Sequence, residues 1–397
     1  MLNLNQSIPT TELTSRRKKL QEILREKSIS GVLLHSSVEQ YYYAGIVADG
    51  ILWIPAEGNS SLFVRRNIDL IKKFSNVELI KPMGRLREIH NMLGVQKDSN
   101  PIGIENETNS FSYIHFLQEI LSPNEILGVD TDLRMIRSIK SDWEINVLRS
   151  CGKDNAESMD YAAEIIESGM SEVDISSMID KFLRQKGHVI NVPIRAPGQS
   201  AVTLAYVLSG ENSAGYHSMF SAYNGVGINP SAPFGPSLKK ISENEIVSID
   251  TATPLQGYIT DCTRVFKVGK ISDKLSDALE SILEVKKFIE KGLKPDIILG
   301  EFYEEIINFA KEQGILDNLQ GPKGEQTKFF GHAVGLELDE LPVLAKGSKH
   351  VLQERNVIAI EPKVVFPGIG SVGIENTYLI TSHGFENLTP CQDFYEI

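Results

Sequence analysis

At 397 residues the chain is too long for one ordinary hydrophobic core and suits two domains. Hydrophobic residues make up 41% and charged residues 23%, the balance of a soluble globular protein. A formal net charge of −12 argues against a binder of nucleic acid or of anionic membranes, since either needs a basic field.

The N-terminal stretch MLNLNQSIPTTELTSRRKKL lacks the apolar centre of a signal peptide, and no apolar run is long enough to span a membrane. A cytoplasmic setting is therefore expected. Cys151, Cys262 and Cys391 are odd in number, widely spaced and without a CxxC, so neither a disulfide framework nor a cysteine metal site is expected.

Thr14–Lys27 reads as an amphipathic helix whose Arg16, Arg17, Lys18 and Lys19 form a solvated basic face. Apolar runs at Gly31–Leu34, Ile51–Pro55, Leu62–Val64, Val77–Ile80 and Pro101–Ile104 then alternate with helical stretches near Asn67–Phe74 and Ser112–Leu121. This pattern predicts an α/β layer domain over 1–130, without a catalytic constellation of its own. Residues 131–141 read as a linker, and 142–397 as a second domain opening on a long helix from Asp142 to about Glu167. A faint repeat follows: helix pairs closing at Lys186-Gly187 and at Gln313-Gly314, with Gly169 and Gly292 read as C-caps and Asp174 and Asp296 near the next helix start. A duplicated helix-helix-sheet unit would set the hairpins that follow each pair side by side.

The first hairpin is Ile246–Phe266. With its turn centred between Leu255 and Gln256, Asp250 falls opposite Asp261, with Cβ atoms roughly 4.5–5.5 Å apart. Two carboxylates that close within apolar strands call for a cation or a shared proton. The second hairpin, Val357–Ile380, centred on Gly368, sets Glu361 opposite Glu375, and Gly331-His332-Ala333-Val334-Gly335 precedes it. Two Asp, two Glu and one His suit a pair of divalent ions of the Mn, Co, Fe or Zn type better than a structural zinc. His217 lies in a polar, glycine-bracketed segment ahead of an extended loop at Gly225–Pro236. The GxGxxG match at Gly368–Gly373 is set aside, because a strand follows it where a dinucleotide site requires a helix.

Ser248-Ile249-Asp250, Thr260-Asp261-Cys262-Thr263-Arg264, Gly331–Gly335, Ile360-Glu361-Pro362 and Ile374-Glu375-Asn376 together resemble the motifs of the pita-bread metallopeptidases. The likeness is to the aminopeptidase P, prolidase and creatinase branch, and the segment MIRSIKSDWEINVLR is similar to the one that opens its catalytic domain. The resemblance implies an α+β chain, with a creatinase-like N-terminal α/β domain and a C-terminal pita-bread domain of pseudo-twofold helix-helix-sheet repeats. It implies two divalent ions, manganese foremost with cobalt, zinc or iron as alternatives. Asp250 would bind one ion, His332 and Glu361 the other, and Asp261 and Glu375 would bridge them around a hydroxide. Glu361 would relay a proton, and His217 would hold substrate or stabilise the tetrahedral intermediate.

Three positions depart from the pattern. Asp339 stands where prolidase-like chains carry a second substrate-contacting His, Gly373 replaces an Arg, and His217 stands further ahead of Asp250, with Met219–Ser242 as an insertion-like loop. An aspartate there would repel a substrate carboxylate and could face a cation. The expected function is a metal-dependent exopeptidase of short peptides, cleaving Xaa-Pro bonds, in a homodimer. The alternatives are the same metal site acting on a non-peptide small molecule, such as a compatible solute or sulfonium compound, and a non-catalytic binding module.

Overall fold

A computed structural model describes residues 7–96, 100–195, 201, 203–215 and 224–397. Contacts divide the chain into two compact units, one running to Arg137 and the other beginning at Ser138. The division falls inside the segment expected as a linker, yet Asp130–Ser138 is helical. Leu133 and Ile136, three residues apart, bury one face of that helix, and Arg137 is tied to the buried Glu39 carboxylate.

The first unit has strands β1 (Gly31–Leu34), β2 (Gly50–Pro55), β3 (Ser61–Val64), β4 (Leu79–Pro82), β5 (Ile102–Ile104) and β6 (Ile126–Gly128). Its helices are α1 (Thr10–Glu26), α2 (Ser37–Ala44), α3 (Ile68–Phe74), α4 (Ile89–Leu93), α5 (Phe111–Leu121) and α6 (Asp130–Ser138). The sheet order is β4-β3-β2-β1-β5-β6, with β1 antiparallel to β2 and parallel to β5. Leu33, Trp53 and Phe63 meet Ile89 of α4 and Leu117 and Leu121 of α5 in one core. The basic face of α1 divides. Lys18 and Lys19 are exposed, but Arg16 and Arg17 turn inward and donate to the carbonyls of Tyr42 and Tyr43 at the end of α2.

The second unit holds helices α7 (Asp142–Ile165), α8 (Glu172–Gln185), α9 (Asp273–Gly292) and α10 (Leu299–Glu312). A four-stranded sheet takes β7 (Ala205–Ser209), β8 (Glu245–Leu255), β9 (Tyr258–Val268) and the late β17 (Phe394–Glu396), in the order β17-β9-β8-β7. A five-stranded sheet takes β10 (Phe329–Ala333), β11 (Glu340–Ala345), β12 (Val357–Ile360), β15 (Asn376–Thr381) and β16 (Gly384–Asn387), in the order β11-β10-β12-β15-β16. Between β12 and β15 a two-stranded ribbon runs out, β13 (Lys363–Phe366) with β14 (Gly370–Gly373).

Each helix pair packs on its own strands, α7 and α8 on β7–β9 and α9 and α10 on β11 and β14. Sequence sets these helices directly. Ser141 and Glu144 form a capping box for α7, and Ser171 and Asp174 one for α8, each cap worth about 1 kcal/mol. The glycines read as C-caps are not caps, which are Ile166 and Leu293. Gly292, the last residue of α9, has no room for a side chain, since a Cβ there would fall 2.5 Å from the Phe302 ring of α10.

Candidate metal centre

β8 and β9 are joined by the two-residue turn Gln256-Gly257, with φ of 50° and 80°, the left-handed pair that matches strand twist. Proline cannot adopt such a φ, so Pro254 stays in β8 opposite Ile259. The register therefore differs by two residues from the expected one: Asp250 pairs with Thr263 and Asp261 with Ala252. The two aspartates are diagonal neighbours on one face, a spacing of roughly 7–8 Å that leaves room for a cation between their carboxylates.

On the other sheet, Ile360 pairs with Asn376 and Lys363 with Gly373, both symmetric about Gly368. Glu361 and Glu375 fall in the break between these pairings, where Pro362, lacking an N–H, ends the ladder and the strand leaves the sheet for the ribbon. His332 sits on β10, opposite Ala359 of β12. Its glycine neighbours serve close backbone approach. A Cβ on Gly331 would fall 2.2 Å from Ala359 O, and one on Gly335 would fall 2.5 Å from the Glu340 carboxylate, which Lys140 Nζ meets at 2.8 Å.

These elements bring side chains from both sheets together. One donor atom each from Asp261, His332 and Glu375 lies within 4.8 Å of the others, and all three residues are buried. His332 Nε2 is 4.0 Å from Asp261 Oδ2 and 3.7 Å from Glu361 Oε1. Asp250 joins through a residue not anticipated from sequence. Lys363 Nζ lies 2.6 Å from Glu361 Oε2, 3.2 Å from Asp250 Oδ2 and 3.8 Å from Glu375 Oε2.

Three carboxylates thus crowd one buried lysine, with the Asp261 carboxylate beside Glu375. Burial, and then the charges of Glu375, Asp250 and Glu361, push the Asp261 carboxyl well above its usual range. Burial and Glu361 do the same to Glu375. Two such charges about 4 Å apart repel by roughly 4 kcal/mol at an effective dielectric near 20, more than one ammonium offsets for four. Glu375 Oε2 accepts from Thr263 Oγ1 at 2.7 Å, whereas its buried Oε1 has no hydrogen-bond partner among the described residues. An orphaned carboxylate oxygen beside an imidazole and a second buried carboxylate is the donor set of a divalent ion, and these residues fit one.

The support around the ligands was also missed in the sequence. Arg264, fully buried, donates from Nε to Gln392 O, from Nη1 to the carbonyls of Thr263 and Glu375, and from Nη2 to Asn376 Oδ1 and Thr389 O. It thereby fixes the backbone of Glu375 against β9. Thr377 Oγ1 donates to Asp261 O and accepts from Asp261 N, tying the other carboxylate to the same sheet junction. Glu172 at the start of α8 accepts from Ser209 N and Oγ, Asn212 Nδ2, and Ser237 N and Oγ, so one carboxylate ties Ser209 and Asn212 to Ser237. The sequence signal for Lys363 was its spacing: two residues after Glu361 on an extended strand, it shares that residue's face. His217 lies outside the described residues, and Asp339 stands half-buried just before β11.

Residues 146–382 match the model of Metallopeptidase family M24, and residues 16–139 match the Creatinase/Prolidase N-terminal domain. The chain belongs to metallopeptidase family M24. A relative, the Xaa-Pro dipeptidase of Pyrococcus horikoshii, is 27% identical over 380 residues, spanning 95% of this chain and 97% of that one. The crystal structure of the prolidase from Pyrococcus horikoshii OT3 superposes with a TM-score of 0.80 at 26% identity, covering 95% of this chain and 99% of that one. The Xaa-Pro dipeptidase from Bacillus anthracis gives 0.81 at 25% identity over 96% and 99%. The architecture is the M24 pita-bread unit preceded by a creatinase-type unit, and as an M24 member the protein is a hydrolase whose chemistry rests on divalent ions.

Proposed function

We propose that this protein is a metal-dependent exopeptidase that hydrolyses Xaa-Pro bonds in short peptides. The observation that carries the reading is the buried convergence of Asp261, His332 and Glu375 within 4.8 Å, in a chain aligned over 95% of its length with an Xaa-Pro dipeptidase. A divalent ion held there supplies a Lewis acid for the scissile carbonyl and activates water. Asp261, His332 and Glu375 hold it, with Glu361 Oε1 beside them. Glu361 is also the group placed to carry a proton to the leaving amine, its Oε2 steadied by Lys363. His217 is the candidate for orienting the peptide, by its likeness to the family's substrate-contacting histidine.

Manganese as the ion, a homodimeric state and a cytoplasmic setting belong to the same reading. No described helix is long and apolar enough to cross a membrane. Protein stripped of metal and reconstituted with Mn, Co, Fe or Zn is expected to cleave Xaa-Pro dipeptides and tripeptides. No cleavage with any ion refutes the proposal. Asp339 favours a second reading, a cationic non-peptide substrate at the same site, because a half-buried carboxylate there would repel a peptide's C-terminus. Raised peptidase activity in Asp339→His supports the peptide reading. Absent peptidase activity in both forms, alongside turnover of a sulfonium or betaine compound, supports the second.

A further inference from the structure

The Lys363 ammonium lies among carboxylates that a second ion of a pair would need. Asp250 is the ligand that a second ion needs, and its Oδ2 lies 3.2 Å from Nζ, with Glu361 Oε2 at 2.6 Å and Glu375 Oε2 at 3.8 Å. The ammonium therefore sits among three of the four carboxylates and borders the cluster of Asp261, His332 and Glu375 through Glu375.

Lys363 is held there by construction. Its side chain is 0% exposed. Its backbone N–H donates to Gln320 Oε1 at 2.8 Å, and its carbonyl accepts from Gln320 N at 2.7 Å. The next two residues, Val364 and Val365, are fully buried in β13, so the strand cannot turn the amine out to solvent. Nζ reaches the Glu361, Asp250 and Glu375 oxygens at 2.6, 3.2 and 3.8 Å, so the ammonium already occupies the space between them. A second ion on Asp250 and the ammonium would compete for the same oxygens.

We propose that this protein works with a single divalent ion, bound by Asp261, His332 and Glu375, and that Lys363 takes the place of a second ion between Asp250, Glu361 and Glu375. The inference rests on the metal-dependent reading above and narrows it. Asp250 then serves as a partner of the ammonium. Glu361 divides its carboxylate, Oε2 to Lys363 and Oε1 toward His332 and the ion. The lysine supplies positive charge without Lewis acidity, so carbonyl polarisation and water activation fall to the one ion.

The test is metal stoichiometry. Stripped full-length protein is dialysed against Mn(II), its ion content measured by elemental analysis, and its spin state read by electron paramagnetic resonance. One ion per chain with an uncoupled spectrum is expected, rising to two with a coupled spectrum in Lys363→Met. Two ions in the unaltered chain overturn the inference and leave the peptidase proposal standing, whereas no ion overturns both. Lys363→Met that folds and stays at one ion also overturns it. Asp250→Asn decides independently of that variant. It is expected to keep the one ion with affinity changed by less than about tenfold, the low edge of the loss from a supporting contact. An ion lost on this substitution marks Asp250 as a ligand and overturns the inference.

Discussion

Arg264→Lys keeps the charge at the sheet junction and removes part of its geometry. The guanidinium's five N–H groups are matched to five acceptors, the carbonyls of Thr263, Glu375, Thr389 and Gln392 and the Asn376 side chain. A lysine offers three donors on one atom, so at least two buried acceptors lose their partner. At about 1–3 kcal/mol for each unsatisfied group, the variant should be less stable by roughly 2–6 kcal/mol. Because one of the bonds, at 2.5 Å, fixes the carbonyl of Glu375, the variant should also bind Mn(II) about 10–100-fold more weakly. Urea unfolding in the presence of chelator gives the first number and competition against a metal-binding dye gives the second. A loss below about 1 kcal/mol with unchanged metal affinity would refute the view that Arg264 positions Glu375.

Stripping the metal should lower the unfolding temperature, and the deficit should grow with pH. Asp261 and Glu375 hold their protons above the usual carboxylate range when folded, so between that range and their raised values the folded chain binds more protons than the unfolded one. Stability of the stripped protein then falls as pH rises through that window, and a pH series of thermal melts with and without Mn(II) reads it. A deficit independent of pH would count against the crowding of these carboxylates. Glu172→Ala leaves five donor groups without their carboxylate and should cost about 3–5 kcal/mol, measured by urea unfolding; a cost under about 1 would show that Ser209, Asn212 and Ser237 are held otherwise. Gly335→Ala should displace the Glu340 carboxylate from Lys140 and cost a similar amount, about 3–5 kcal/mol, on the same assay; a near-neutral result would mean the pair shifts without breaking.

The sequence was informative where local chemistry and fold agree. Symmetry about Gly368 places Glu361 and Glu375 at matching positions because the ribbon and the sheet beneath share one register. It misled at the first hairpin, where Pro254 marks a turn by composition but the positive φ that closes it belongs to Gln256-Gly257. Long-range pairings were not legible. Apart from the Glu12 carboxylate one turn before Arg16, the groups that draw Arg16 and Arg17 inward are distant in sequence: the α2 carbonyls of Tyr42 and Tyr43, and Glu78. Lys363 escaped notice because a search for ligands looks for acids and imidazoles, and a cation among them is visible only on asking which residues share the face of Glu361. The helix at Asp130–Ser138 was hidden by its charged residues, although Leu133 and Ile136 carry its buried stripe.

The candidate ion site joins residues made far apart in time. Thr263 and Glu375, 112 positions apart, meet at one hydrogen bond, and Arg264 reaches still further along the chain to Thr389 and Gln392. A chain emerging from the ribosome would carry Asp261 long before His332 and Glu375, and so could not retain an ion at this cluster until they had been made. Loading must wait until the strands flanking Glu375 have been made and have met β9, which makes a bound ion a report that the two sheets are joined.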